Sequence, residues 1–227
     1  ILAAYYAKEM GVPMKKLICA SNANNVLTDF LKTGHYNRVR NFYTTISPSM
    51  DILISSNLER LLFLLSGMDD ALVREWMGSL SADGEYKVNE DVFAKLTALF
   101  DAGCCDDEIT AATISETYKN GYLCDTHTAV AKNVCDKYIL ETGDTTKTVI
   151  ASTASPFKFN QSVLIAIEGV ASVAGKDEFE LLDTLSSVSD MPIPASLSAL
   201  KSKPKLFNLK CEKTQLKQVV SEFLQLG

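Results

Sequence analysis

The chain has few of the residues that build metal sites or disulfide-stapled folds. Among its 227 residues there are only two histidines, and none of its six cysteines belongs to a CxxC pair. Because a metal ion needs convergent ligands at characteristic spacings, the sequence offers no zinc or other metal site. We expect the cysteines to be reduced and mostly buried thiols of a cytoplasmic protein.

Positive charge and long apolar runs are also scarce. Acidic residues outnumber basic ones by 28 to 22, which gives a formal net charge of −6. No basic block is interleaved with aromatic residues, so we predict no nucleic-acid partner. No apolar run approaches the ~20 residues that cross a bilayer, so we predict no membrane contact. A P-loop and a GxGxxG motif are likewise missing.

The chain begins with a helical pattern that has no capping residue before it. Residues 1–10 carry neither an initiator methionine nor the basic start of a signal peptide. Gly11 and Pro13 then supply the usual signals that end a helix. We therefore expect this chain to be a fragment of a longer protein.

Helical and strand patterns alternate along the chain. Residues 16–20 are typical of a short buried strand, and residues 26–32 of a helix that Gly34 ends. This order is typical of a parallel sheet wrapped by helices, so the predicted fold class is α/β. Further strands are predicted at residues 41–46, 148–151 and 205–209. Helices are predicted for most of the remainder, including every element of a small helical insertion at residues 67–121.

Two polar clusters follow predicted strands. Ser152 and Thr153 come directly after residues 148–151, and Asn22, Asn24 and Asn25 come after the first strand. Ligands of α/β proteins bind beyond the carboxyl ends of strands, so these side chains are candidate ligand contacts. Hydroxyl and amide groups also cap helices and build turns. Composition leaves both interpretations open.

Two single residues have catalytic potential. His127 stands at the start of a predicted helix, where a neutral imidazole could act as an acid or a base. No GxSxG nucleophile elbow accompanies it, which favours a structural role, and Asp125 most simply caps the same helix. Lys158 stands between two phenylalanines, an environment that suits a Schiff base only if the amine is buried. Composition alone indicates no more than an α/β ligand-binding domain.

Particular strings are more specific than these patterns. They are ILAAYYAK at residues 1–8, KLICASN at 16–22, NVLTD at 25–29, SPSMDI at 47–52, SSNLERL at 55–61, HTAV at 127–130 with Asp125, and STASPFKF at 152–159. Together they resemble threonine synthase of the bacterial and fungal type over essentially the whole chain. In that family a glycine-rich loop precedes the helix with which this chain opens.

The resemblance implies a fold-type II enzyme that uses pyridoxal 5′-phosphate (PLP). Such an enzyme converts O-phospho-L-homoserine and water to L-threonine and phosphate. It further implies that Thr153, with Ser152 beside it, is cofactor-binding, with the Thr153 hydroxyl on the pyridine nitrogen. The Schiff-base lysine and the phosphate-binding glycine loop would lie upstream, so no catalytic residue is predicted in this chain. Residues 1–66 and 122–227 would then form part of the PLP-binding domain.

Three functions remain open on this resemblance. The parent protein is predicted to be a threonine synthase whose isolated C-terminal fragment is inactive and self-associates through uncovered strand edges. A second possibility is a non-catalytic threonine synthase-like protein that lacks the lysine. A third is another fold-type II lyase, whose substrates carry no γ-phosphate. The partners implied by the first are phosphohomoserine and the N-terminal half of the same protein.

Overall fold

The computed structural model describes residues 2–225, which divide into two compact units at Pro192 and Ile193. The strands are β1 Leu17–Ser21, β2 His35–Asn37, β3 Glu85–Lys87 and β4 Phe100–Cys104. The α-helices are α1 Leu2–Glu9, α2 Val26–Thr33, α3 Ser56–Leu65, α4 Asp70–Ala82, α5 Glu90–Leu99, α6 Asp107–Lys119, α7 Thr126–Thr142, α8 Asn160–Glu168, α9 Glu178–Ser189, α10 Ala195–Ser198 and α11 Leu216–Phe223. Short 3₁₀ turns lie at Pro48–Met50, Pro156–Phe159, Val170–Val173, Ala199–Ser202 and Lys213–Gln215.

A small parallel sheet lies among helices in the first unit. β1 pairs with β4 in parallel, from Leu17 opposite Phe100 to Ser21 opposite Cys104. Helices α2 and α7 both pack on these strands, and α6 packs on α7 and α8. The predicted α/β class is therefore confirmed. No helix within residues 2–225 is long and apolar enough to cross a membrane.

An aromatic cluster lies in the core. β2 and β3 pair antiparallel with Tyr36 opposite Tyr86, and their rings stack with centroids 5.2 Å apart. The Phe30 ring of α2 lies 5.7 Å from that of Tyr36 and 5.9 Å from that of Tyr86, and Trp76 of α4 stacks on Tyr86 at 6.3 Å. Such pairs contribute beyond their buried area. They fix how α2 and α4 meet the hairpin.

Most predicted helices are confirmed within two or three residues. Gly34 ends α2 as expected, with a left-handed φ of 72° and its N–H donating to the Phe30 carbonyl. Residues 52–66 have an apolar pattern that predicts a helix throughout, but α3 begins only at Ser56. The segment before it is held by Tyr36 of β2, whose hydroxyl donates to the Leu53 carbonyl and accepts from the Ser55 N–H, both at 3.0 Å.

The strand predicted at residues 41–46 is wrong. Side chains, not a neighbouring strand, take up its backbone groups: Asn24 accepts from the Tyr43 N–H and donates to the Tyr43 carbonyl, both at 2.9 Å. The Thr45 N–H donates to Asp51 at 3.0 Å, and the Ile46 N–H donates to Asp107. A strand must pair its backbone with another backbone, and this one is already satisfied.

The predicted strands at residues 148–151 and 205–209 are also absent; both segments run as coil. Their β-branched and aromatic residues favour a strand, but a strand forms only beside a neighbour that completes its ladder. Within the described residues neither segment has such a neighbour.

The prediction that every element of residues 67–121 is helical is wrong, because this range contains the strands β3 and β4. The sequence does not predict β4, because Asp101 and Gly103 are poor strand formers. The structure gives a reason for the glycine: a Cβ at Gly103 would lie 2.8 Å from a Val134 methyl of α7. Helix α7 can therefore approach the sheet only where β4 has no side chain. That this range is an insertion remains a prediction.

Candidate functional site

A buried polar cluster occupies the carboxyl end of β1. Asn22 is 1% exposed, and its amide nitrogen lies 2.7 Å from both Thr45 Oγ1 and Asp51 Oδ1 and 3.1 Å from Ser47 Oγ. Its amide oxygen accepts from the Asn24 N–H at 2.9 Å. The cluster binds the loop at residues 41–51 to the strand end. The Asn22 amide is therefore fully engaged within the protein, which favours its turn-building interpretation.

His127 connects this loop to the start of α7. Its Nε2 accepts from the Ser49 N–H at 3.0 Å, and its Nδ1 lies 3.1 Å from Asp125 Oδ1. An amide N–H needs an unprotonated acceptor, so the network assigns the ring proton to Nδ1. The Phe159 ring packs 4.7 Å from the imidazole. Because Nε2 is already occupied, His127 braces the two elements, and the predicted structural role is favoured over general-base chemistry.

Asp125 caps α7, as predicted, and joins two neighbours, His127 and Thr128. Its carboxylate accepts from the backbone N–H groups of His127 and Thr128 and from the Thr128 hydroxyl. Complete burial by itself would raise the pKa of the Asp125 carboxyl. The hydrogen bonds from His127 and Thr128 outweigh burial and hold that pKa below its ordinary value. Asp125 is therefore an ionised anchor inside the protein.

Ser152 and Thr153 lie in an extended coil segment instead of at a strand end. Ser152 Oγ lies 3.0 Å from the hydroxyl of Thr128, which connects the segment to the Asp125 network. Both residues are exposed, and no hydrogen bond of Thr153 is found in the part of the chain that the structure describes. The Thr153 hydroxyl is thus open to a ligand, while Ser152 holds the backbone beside it.

These contacts form one continuous path across the unit. It runs from Asn22 to Ser47, along the backbone to Ser49, and from Ser49 to His127, and then through Asp125 and Thr128 to Ser152. The sequence had singled out both ends of this path but not the three loop residues Thr45, Ser47 and Asp51. The string SPSMDI contains Ser47 and Asp51, and its specificity for the family is the signal that could have identified them.

Lys158 lies outside this network. It is exposed, and its Nζ stands 5.9 Å from the centroid of the Phe159 ring. An exposed ammonium beside an aromatic ring is the arrangement expected of a lysine that covers apolar surface. Nothing in the geometry favours Lys158 as a Schiff-base residue.

The cysteines are all unpaired thiols, and four of the six are buried. Burial raises the pKa of both Cys19 and Cys124 to about 11. Such thiols are unreactive because the nucleophilic thiolate is nearly absent at neutral pH. Among residues 2–225, no three His, Cys, Asp or Glu side chains are grouped so that they could hold a metal ion.

Comparison with known proteins identifies the family. A family model described as "Threonine synthase, C-terminal" matches residues 128–220. The human protein threonine synthase-like 1 is 45% identical over 170 residues, which cover 74% of this chain. Threonine synthase of Saccharomyces cerevisiae is 35% identical over 205 residues, or 82% of this chain.

Solved structures give the same result. The crystal structure of yeast threonine synthase aligns with 99% of this chain at a TM-score of 0.78 and 30% identity. The PLP-bound threonine synthase of Brucella melitensis aligns with 82% of it at a TM-score of 0.68 and 38% identity.

The matches cover only part of each relative. The chain spans 22% of the human protein's length and 40% of the yeast protein's. It covers 38% of the Brucella structure and 45% of the yeast structure. The family model that it matches describes the C-terminal region of the enzyme. The chain therefore belongs to the threonine synthase family, and it corresponds to a C-terminal portion of the family's proteins.

Proposed function

We propose that this chain is the C-terminal part of a PLP-dependent threonine synthase, which converts O-phospho-L-homoserine and water to L-threonine and phosphate. The observation that carries the proposal is the path of polar contacts that ends at Ser152 and leaves the Thr153 hydroxyl without a partner among residues 2–225. A relative of 38% identity has been crystallised with PLP bound, which supports the choice of cofactor.

The residues present fit one edge of a PLP site. Thr153 has a hydroxyl without a partner among residues 2–225, and the adjacent Ser152 is held in place by Thr128. A hydroxyl can donate a hydrogen bond to a pyridine nitrogen but is too weak an acid to protonate it. PLP, when bound, supplies an electron sink for the carbanions of the reaction. In this proposal Thr153 orients the ring and keeps its nitrogen neutral.

The remaining residues of the path act by positioning. Asp125 holds His127 and Thr128, and Thr128 holds the segment that carries Thr153. In this proposal the Schiff-base lysine and the phosphate-binding loop belong to the part of the full-length enzyme that this chain does not match. We therefore expect the isolated chain to form no threonine. The six unpaired thiols support a reducing compartment such as the cytoplasm.

The test uses the full-length protein with PLP and O-phospho-L-homoserine. Thr153→Val removes the hydroxyl at nearly constant size, and we expect kcat to fall about tenfold, the equivalent of one lost hydrogen bond. Thr153→Ser should restore most of the activity, and only Thr153→Val should shift the visible absorbance of the bound cofactor. Thr145→Val, an exposed threonine of the same segment, is the matched control. Equal kinetics and spectra for Thr153→Val and Thr145→Val would remove Thr153 from the site.

A second function has one observation in its favour. The chain is more similar to human threonine synthase-like 1, at 45% identity, than to yeast threonine synthase, at 35%. A full-length protein that binds PLP but releases neither threonine nor phosphate from phosphohomoserine would establish the non-catalytic alternative. Release of both products would exclude it.

A further inference from the structure

His127 joins two elements that carry the candidate site. Its Nε2 accepts from the Ser49 N–H at 3.0 Å, and among residues 2–225 this is the only hydrogen bond between the loop at residues 41–51 and α7. The next residue along α7 is Thr128, whose hydroxyl lies 3.0 Å from Ser152 Oγ. A single imidazole therefore connects the loop to the helix that holds the segment containing Ser152.

The two nitrogens of this imidazole respond differently to a proton. Nδ1 donates to Asp125 Oδ1 at 3.1 Å, and a positive charge on the ring would strengthen that contact. Nε2 can accept from the Ser49 N–H only while it carries no proton, because an imidazolium is a donor at both nitrogens. Protonation of His127 therefore keeps the ring on α7 and removes the acceptor that the Ser49 N–H has in the structure.

The charges around His127 favour this one-sided release. Burial by itself would raise the pKa of Asp125, but hydrogen bonds from His127 and Thr128 hold that pKa below its ordinary value. The carboxylate therefore faces the ring as an anion and supports a charged imidazole. The neighbouring elements carry three other charged side chains, none of which makes an ion pair or hydrogen bond with the ring: Asp51 of the loop, Asp107 of α6 and Lys158 of the turn before α8.

We propose that His127 is a positioning residue whose neutral ring locks the loop at residues 41–51 to α7, and that a proton on Nε2 opens this lock. Histidine is the side chain that ordinarily changes charge between pH 5 and pH 8, so the lock opens within that range. The lock sets the position of the loop relative to the segment that carries Thr153. Its effect on the reaction rests on the proposed function, whereas the release of Ser49 does not.

Amide hydrogen exchange of the full-length protein measures the lock directly. The protection factor of Ser49, which corrects for the pH dependence of free amides, is compared between pH 8 and pH 5. His127→Gln supplies a neutral amide oxygen that cannot titrate, and His35→Gln, at the other histidine of this chain, exposed on β2, is the matched control. We expect Ser49 protection to fall at least about tenfold in the wild type and in His35→Gln, the equivalent of one lost hydrogen bond. It should stay constant in His127→Gln.

A measurement on the wild type alone applies even if His127→Gln does not fold. Exchange of the carbon-bound hydrogen of the imidazole, followed by mass spectrometry, gives the titration midpoint of each histidine. The midpoint of His127 should coincide with the pH at which Ser49 loses half of its protection. A ring of His127 that stays neutral down to pH 5, or two midpoints that differ, would overturn the proposal.

The kcat of threonine formation reports the role of the lock in catalysis. Between pH 8 and pH 5 the wild type and His35→Gln should lose about tenfold more activity than His127→Gln, because only His127→Gln keeps the loop in place. Equal pH profiles for the three proteins would overturn the positioning role, and so would equal losses of Ser49 protection. If the wild type forms no threonine at any pH but loses Ser49 protection as expected, the lock is supported and the proposed function is not.

Discussion

Two regions of the first unit differ in how their polar and apolar groups are satisfied. Around the β2–β3 hairpin, Phe30, Tyr36 and Tyr86 are buried and pack on one another, and the strands pair in register. Along residues 144–152 the chain is held by side chains at its ends, and residues 147–151 make no backbone–backbone hydrogen bond among the described residues. The first region has its polar and apolar groups satisfied by its own neighbours, whereas the second leaves backbone groups without a partner among residues 2–225.

The difference separates stability from function. A region whose groups are all satisfied contributes to unfolding free energy but has nothing left with which to bind a ligand. An exposed segment with open hydroxyls and amides contributes little stability, and such segments are where binding sites are found. The Asp125 network lies between the two, since it is buried like a core and also supports Ser152. Substitutions in these three places should therefore change the free energy of unfolding by different amounts.

The largest effect is expected at Phe30, which is fully buried. Phe30→Ala should lower the free energy of unfolding by about 3–5 kcal/mol, because it removes a ring contacted by two tyrosines and leaves a cavity. Val149→Ala, at a residue 89% exposed, should change it by less than about 0.5 kcal/mol. Urea denaturation measures both. Similar losses for the two variants would erase the contrast between the regions.

An intermediate effect is expected at Asp125. Asp125→Ala should cost about 2–3 kcal/mol, since it removes a helix cap and also leaves His127 and Thr128 without their acceptor. Asp106→Ala is the matched control, because Asp106 caps α6 from an exposed position and accepts from the Ile109 N–H. That variant should cost about 1 kcal/mol. If Asp106→Ala were equally costly, the buried network would add nothing to the cap.

The smallest effect is a dependence on pH. The pKa of Asp125 is lower in the folded protein than in the unfolded chain, so its contribution is present above the unfolded value of about 3.9 and is lost as pH falls through the folded value. Asp125→Asn cannot titrate. We expect the difference in unfolding free energy between wild type and Asp125→Asn to shrink as the pH falls from 7 to 3. A difference that stays constant across this range, in paired denaturation curves, would contradict the assignment of Asp125 as an ionised anchor.

The sequence predicted best where a local rule decides the structure. Gly34 ends α2 because only a residue that tolerates positive φ fits there, and Asp125 caps α7 because its carboxylate reaches the first free N–H groups. The residues of β1 formed a buried strand as expected. Each of these depends on neighbours within a few positions.

Prediction failed where distant groups compete for the backbone. Residues 41–46 have strand composition, but Asn24, Asp51 and Asp107 take up their N–H groups. The glycine and aspartate of β4 argue against a strand, yet pairing with β1 and the approach of Val134 select one. No local pattern contains this information, because the competing groups come from different parts of the chain.

The candidate site shows the same division. The sequence by itself determined the α/β class, the caps that begin and end the helices, and the strings that identify the family, because these follow from residue chemistry over short distances. Only the tertiary structure decided that His127 Nε2 accepts the Ser49 N–H and that the Asn22 amide is hydrogen-bonded to the loop at residues 41–51. It also decided that the Thr153 hydroxyl has no partner among residues 2–225. The reason is physical: a polar group's role depends on which partners surround it, and those partners meet only when the chain folds.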